Sequence, residues 1–304
     1  MKLDRRAFVY GTLATSLALG SASCVPLDQS TAGRLAANLR IIEAQAAGTL
    51  GAEFFDTASG RSIGINRDTR FGHCSSFKTS LAAMLLKYRE RHGDLVREVP
   101  LREEDVLGHS PFVAERVGES ASLFELAQAT QRLSDNAAAN ILLRELGGPE
   151  ALTAFWREIG DDVSRLDRNE PQLNNVPPGE TRDTSTPRAM ARTLATLVYG
   201  DALRESDRSM LRHWMIDTST GLRRVRAGLP PDWQAGDKTG TSIWPYPDRR
   251  MGSLYVDIGF VEPTGRAPIT FAAYFRTAEQ SSGLDPSAER VLAQVGEVLA
   301  RFAA

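Results

Sequence analysis

Ile269-Thr270-Phe271-Ala272-Ala273-Tyr274-Phe275 alternates along its length. Ile269, Phe271, Ala273 and Phe275 fall on one side of an extended chain, and Thr270, Ala272 and Tyr274 on the other, the period-two signature of a strand. Just before it, residues 254–261 are β-branched and aromatic and read as a second strand. After it, Val291, Leu292, Val295, Val298, Leu299 and Phe302 recur at helical spacing. The other end of the chain mirrors this arrangement. Leu35, Leu39 and Ile42 mark a helix from a Ser30/Thr31 start, and residues 50–65 read as two strands around Thr57-Ala58-Ser59-Gly60.

Between the two strand groups lie helical stretches at residues 75–92 (Leu81, Met84, Leu85 and Tyr88 on one face), 123–133, 136–146, 149–159 and 187–199. Strands isolated at the two ends would leave bare edges, so they are expected to pair across the helical insert. The expectation is an α+β fold: one antiparallel sheet flanked by N- and C-terminal helices, an all-helical lobe, and a cleft between them. Residues 25–72 and 217–304 would form the α/β part and residues 73–216 the all-α part. Residues 165–186 are rich in Pro, Asn, Asp and Gly. A structureless loop of about twenty residues in a compact domain is uncommon and usually functional.

Composition narrows the function classes. The 304 residues are 42% hydrophobic and carry a net charge of −2, with no basic run interleaved with aromatics, which argues against a nucleic-acid surface. The four histidines are scattered and form no metal-ligand spacing, so neither metal nor cofactor is expected. Arg5-Arg6 followed by an apolar stretch over residues 8–20 reads as a twin-arginine export leader, too short to span a bilayer of ~30 Å. Cleavage after Ala22 or Ser23 competes with lipid modification of Cys24. The only other cysteine is Cys74, so the exported domain has no internal disulfide. A periplasmic monomer is expected, membrane-anchored if Cys24 carries a lipid.

Only four lysines stand among the 36 basic residues, and two of them lie in Ser75-Ser76-Phe77-Lys78 and Lys238-Thr239-Gly240-Thr241. Arginine stays protonated in proteins, whereas a lysine amine can be tuned to relay a proton. Ser75 and Lys78, three apart at a helix start, share a face, with the positive end of the helix beside them. Ser134-Asp135-Asn136 opens another helix, and Glu170-Pro171-Gln172-Leu173-Asn174 lies in the long loop. There a carboxylate and an amide four residues on suit holding a water for general-base attack. Arg168 and Asp183 bracket the loop as a candidate ion pair. Each element also has an ordinary reading: helix caps for Ser75 and Ser134-Asp135-Asn136, an edge strand for Lys238-Thr239-Gly240, a polar surface loop for Glu170.

Together and in this order, S-x-x-K, S-D-N, the loop E-P-x-L-N and K-T-G resemble a class A β-lactamase over essentially the whole mature length. The resemblance implies that Ser75 is acylated by a β-lactam, with Lys78 and Glu170 sharing the proton work. It makes Ser134 a proton donor to the leaving nitrogen, and the backbone N–H groups of Ser75 and Thr241 the oxyanion hole. Glu170 with Asn174 would activate the hydrolytic water. Asn136, Lys238, Thr239 and Thr241 would bind substrate, and Glu170-Pro171 would be a cis peptide. Arg224 is similar to an arginine that supports carboxylate binding in some members, though an arginine-rich chain leaves a surface role equally open. His109 stands where many members carry an aromatic at the cleft entrance. Ser242 stands near a position where some members place a cysteine facing the equivalent of Cys74. Residues 243–251 look longer than usual beside the cleft. A penicillin-binding D,D-peptidase or a β-lactam sensor would share the serine and the lysines. Glu170 with Asn174 argues against the peptidase, and the absence of a membrane segment after the leader argues against the sensor.

Overall fold

The computed structural model describes residues 29–89 and 95–303; the leader and Cys24 lie outside the described residues. In chain order the helices and strands are α1 (Gln29–Gln45), β1 (Gly48–Asp56), β2 (Ser62–Ile65), β3 (Phe71–Gly72), α2 (Phe77–Tyr88), β4 (Glu98–Pro100), α3 (Pro111–Ala114), β5 (Ser120–Ser122), α4 (Leu123–Arg132), α5 (Asn136–Leu146), α6 (Gly148–Glu158), β6 (Thr184–Ser185), α7 (Pro187–Val198), α8 (Glu205–Ile216), β7 (Gln234–Ser242), β8 (Leu254–Glu262), β9 (Ile269–Thr277) and α9 (Pro286–Ala303).

Five of the strands form one antiparallel sheet in the order β2-β1-β9-β8-β7. β1 pairs with β9 from Gly48↔Thr277 to Asp56↔Ile269, which closes the sheet across the helical insert. The alternation in β9 sorts its side chains between two cores. Ile269, Phe271, Ala273 and Phe275 pack with Leu35, Leu39 and the apolar face of α9, while Ala272 and Tyr274 join the core of the helical lobe. Each Leu, Val, Ile or Phe so buried contributes about 1.5–3 kcal/mol, enough to hold the register once both faces are covered.

The structure adds short elements to the sequence reading, α3 and the two-stranded pairs β3–β6 and β4–β5, and differs from it in two longer ones. The helix expected from residue 75 begins at Phe77, preceded by a 3₁₀ turn at Cys74–Ser76. Tight 3₁₀ turns are frequent at helix N-termini, and they keep a three-residue spacing on one face. α8 was not anticipated, because Glu205, Asp207, Arg208 and Arg212 dilute its apolar stripe of Leu211, Trp214 and Met215. No helix among the described residues is long and apolar enough to cross a membrane.

Candidate active site

Ser75 sits in the 3₁₀ turn, between Cys74 at φ 46° and buried Ser76. A positive φ on a residue with a side chain costs of order 1–3 kcal/mol and needs surrounding structure to hold it. Here the Ser76 N–H donates to the His73 carbonyl at 3.0 Å, and the His73 N–H to the Asp183 carbonyl at 2.9 Å. β7 presses on the same turn: a Cβ on Gly240 would lie 2.7 Å from the Cys74 Cβ and 3.0 Å from the Ser75 nitrogen. Only glycine permits that approach. The neighbouring Cys74 thiol is buried and pushed up to about 12 by desolvation, so it stays protonated.

Lys78 lies one turn further on and is fully buried. Its ammonium donates to Ser75 Oγ (2.9 Å), the Ser134 carbonyl (2.8 Å) and Asn136 Oδ1 (2.5 Å). Those three acceptors use its three protons. Glu170 Oε1, 3.2 Å away, therefore faces the ammonium as a charge while making no hydrogen bond. Burial pushes the Lys78 amine below its usual range, and the Glu170 carboxylate opposes that push.

The Ser134-Asp135-Asn136 stretch divides its duties. Asp135 does the capping, accepting from the Ala138 N–H (2.8 Å) at the start of α5 and from the N–H groups of Phe112 (2.8 Å) and Val113 (3.1 Å) in α3. Its neighbours are left to face the cleft. Ser134, at φ 60°, accepts from Lys238 Nζ at 3.0 Å. Asn136 donates to the Gly108 carbonyl at 2.8 Å while accepting from Lys78. His109, also at positive φ, is exposed and places Nε2 3.0 Å from the Leu133 carbonyl, on the rim next to Ser134.

The long loop delivers Glu170. Asn140 of α5 holds its backbone from both sides, accepting from the Glu170 N–H (3.0 Å) and donating to the Glu170 carbonyl (2.9 Å). Asn174 Nδ2 donates to Glu170 Oε2 at 2.6 Å, and the Glu170–Pro171 peptide is cis. Arg168 donates to Asp183 at 2.5 Å, and the other Asp183 oxygen accepts from the N–H groups of Asp167 and Arg168, so the two ends of the loop are pinned together.

β7 is one of the two edge strands of the sheet, so one row of its backbone groups has no strand partner. Lys238 is buried, and Nζ donates to Ser134 Oγ (3.0 Å) and the Thr239 carbonyl (2.9 Å). Desolvation, reinforced by the like charge of Lys78, holds its amine well below the ordinary lysine range. Thr239 donates to Thr220 Oγ1 at 2.8 Å. Arg224 is not at the surface but 4% exposed. It donates to Thr241 Oγ1 (2.6 Å) and to the carbonyls of Gly240 (2.9 Å) and Val256 (2.8 Å), with Nε 3.4 Å from Glu289.

Hydrogen bonds and the Lys78–Glu170 ion pair thus join Ser75, Lys78, Ser134, Asn136, Glu170, Asn174 and Lys238 into one cluster, with Thr239 and Thr241 following Lys238 on β7, His109 bonded to Leu133 beside Ser134, and Arg224 bonded to Thr241. Asn140, Thr220 and Glu289 also serve this site, and the sequence pattern does not single them out. Asn140 carries the clearest trace, an amide one turn after Asn136 inside the apolar run Ala137-Ala138-Ala139-Asn140-Ile141. No group of three or more metal-ligating side chains occurs among the described residues.

Residues 34–303 match the β-lactamase enzyme family. The chain is 40% identical to β-lactamase L2 of Stenotrophomonas maltophilia over 99% of both proteins. It is 38% identical to the carbapenem-hydrolysing β-lactamase KPC of Klebsiella oxytoca, over 96% of this chain and 95% of that one. Among solved structures, an ancestral class A β-lactamase superimposes with a TM-score of 0.81 at 43% identity, covering 88% of this chain and 99% of the other. A β-lactamase from Xanthomonas campestris superimposes with a TM-score of 0.82 at 40% identity, covering 90% and 99%.

Proposed function

The chain belongs to the class A serine β-lactamases, and we propose that it hydrolyses the amide bond of β-lactam antibiotics through an acyl-enzyme on Ser75, giving resistance to these drugs. The observation that carries this reading is the Glu170 carboxylate. One oxygen is held by Asn174 and the other faces Lys78, which itself bonds Ser75 Oγ, without a hydrogen bond of its own. An acylating enzyme that does not need to deacylate quickly has no use for such a group.

In the proposed sequence Ser75 Oγ attacks the lactam carbonyl, and its proton leaves through Lys78 and Glu170. The oxyanion is held by the N–H groups of Ser75 and Thr241. The C–N bond breaks as Ser134 gives its proton to the ring nitrogen, and the proton that left Ser75 returns to Ser134 through the lysines, Lys238 bonding its Oγ and Lys78 its backbone carbonyl. A water between Glu170 and Asn174 then loses a proton to Glu170 and attacks the ester carbon, and the Ser75 oxygen leaves, taking that proton from Glu170 by way of Lys78. Lys238, Thr239 and Thr241 receive the substrate carboxylate. Arg224 orients Thr241 and adds charge, Asn136 orients the substrate amide, and His109 contacts the substrate at the entrance. No cofactor or metal enters the sequence.

Residues 25–72 with 217–304, and residues 73–216, are the two halves that frame this cleft in the proposal. Arg5-Arg6 and the apolar residues 8–20 support export by the twin-arginine route to the periplasm as a monomer, with loss of the leader; a lipid anchor on Cys24 is the alternative. The test mixes purified protein with a chromogenic cephalosporin. Sustained turnover, with acyl-enzyme accumulating on Glu170→Ala by intact mass, is the expected result. A stoichiometric burst that stops would overturn the reading in favour of a D,D-peptidase or a sensor.

A further inference from the structure

Residues 243–251 lie in the connection from β7 to β8, and the reaction above gives them no part. They are strapped down at several points. The Tyr246 N–H donates to the Trp244 carbonyl at 2.8 Å, and Asp248 accepts from the Arg250 N–H at 3.0 Å to cap a 3₁₀ turn at Arg249–Met251. Arg249 exchanges two bonds with the backbone of Gln280, donating from Nη2 at 2.6 Å and accepting from its N–H at 2.7 Å. Gly252 then lies so close to β9 that a Cβ there would fall 2.0 Å from the Thr277 carbonyl oxygen. A segment tied in this way acts as a fixed wall and not as a loose loop.

That wall reaches the loop carrying Glu170. At its base the Ser242 hydroxyl donates to the Asn174 carbonyl at 2.9 Å, and the Tyr246 hydroxyl lies 3.5 Å from the same oxygen. Tyr246 is only 9% exposed, and its phenol also meets Arg276. The Arg276 guanidinium bridges the two pieces, donating from Nη1 to the Met251 carbonyl (3.0 Å) and from Nη2 to the Val176 carbonyl (2.9 Å). Asn174 is the junction: its backbone is held by the wall, and its side chain holds Glu170 Oε2 at 2.6 Å.

We propose that Tyr246 and Arg276 are positioning residues for deacylation, clasping residues 174–176 so that the Asn174 amide and the Glu170 carboxylate keep the geometry of the hydrolytic water. This rests on the function proposed above. Ser75, Lys78 and Ser134 do not bond to the clasp; of the acylating groups only Glu170 connects to it, through Asn174, and Lys78 at 2.9 Å from Ser75 Oγ still carries the Ser75 proton, so acylation suffers less than deacylation. A misplacement of about 1 Å costs a positioned reaction as much as a hundredfold, and a partial release correspondingly less.

The test compares wild type with Tyr246→Ala, Tyr246→Phe and Arg276→Lys, the last two keeping the bulk of the side chain in case the first fails to fold. Steady-state kinetics with a chromogenic cephalosporin are paired with acyl-enzyme fractions from rapid-quench intact mass. Tyr246→Ala and Arg276→Lys are expected to lower kcat and KM together by roughly tenfold, leaving kcat/KM within about twofold while acyl-enzyme accumulates. Tyr246→Phe should move the same way by a smaller factor. A common fall in kcat/KM across the folded variants, or no change in any of them, overturns the clasp while wild-type turnover stands. A wild type that acylates without turnover overturns the function reading itself, and the clasp falls with it.

Discussion

His73, two residues before Ser75, offers a quantitative test of how the turn under the nucleophile is held. Its ring is fully buried and stacked on Trp156, with centroids 4.9 Å apart and planes 9° from parallel. Burial outweighs the nearby Asp161 carboxylate and lowers the imidazole from 6.5 to about 4. The unfolded chain therefore takes up a proton as pH falls through 6.5 while the native protein does not, so stability drops on acidification until pH 4, where the native ring also charges. At 1.36 kcal/mol per pH unit, the 2.5-unit separation amounts to about 3 kcal/mol. His73→Phe keeps the stack on Trp156 and cannot titrate. Urea unfolding of both proteins at pH 7, 6, 5 and 4 gives the difference in stability, in which the carboxylates common to both cancel. The difference should shift toward the variant by about 3 kcal/mol between pH 7 and 4. A difference that stays flat over that range would show that His73 titrates as an exposed imidazole, and the buried stack would be wrong.

Two further substitutions probe the supports of the cleft. Asn140→Ala removes both bonds to the Glu170 backbone, leaving a buried N–H and C=O short of partners. It should cost about 1–3 kcal/mol in chemical denaturation and slow deacylation. Arg224→Ala deletes the donor to Thr241 Oγ1 and leaves Glu289 with Arg223 as its remaining partner. A loss of roughly 10- to 100-fold in kcat/KM is expected, together with a fall in melting temperature; full activity in the variant would detach Arg224 from the site.

Long-range sheet pairing was legible because β9 and α9 obey simple periods. The six apolar positions that define α9 in the sequence all enter one core, and the strands at the two ends pair in register. The cleft residues were legible for a different reason: chemistry that needs a serine, two lysines and a carboxylate leaves short motifs. What stayed hidden acts through backbone. Asn140 grips a peptide group 30 residues away, and Ser242 donates to the Asn174 carbonyl 68 residues before it. A carbonyl looks the same in every residue, so such partners leave no compositional trace. Arg224 was ambiguous because one arginine among many cannot announce its burial. α8 was missed because charged residues interrupt its stripe.

The pairing of β1 with β9 also sets a schedule for biogenesis. Thr57 and Pro268 meet through a bond between residues 211 apart, so β1 has no neighbour on its inner edge until almost the whole chain exists. At synthesis rates of about 5–20 residues per second, that wait lasts roughly 10 to 40 s. The entropy of closing so long a loop grows only as the logarithm of its length, so delay and exposure are the greater burden. Through that interval Leu50, Ala52 and Phe54, fully buried in the finished fold, belong to a strand whose inner edge is still unpaired.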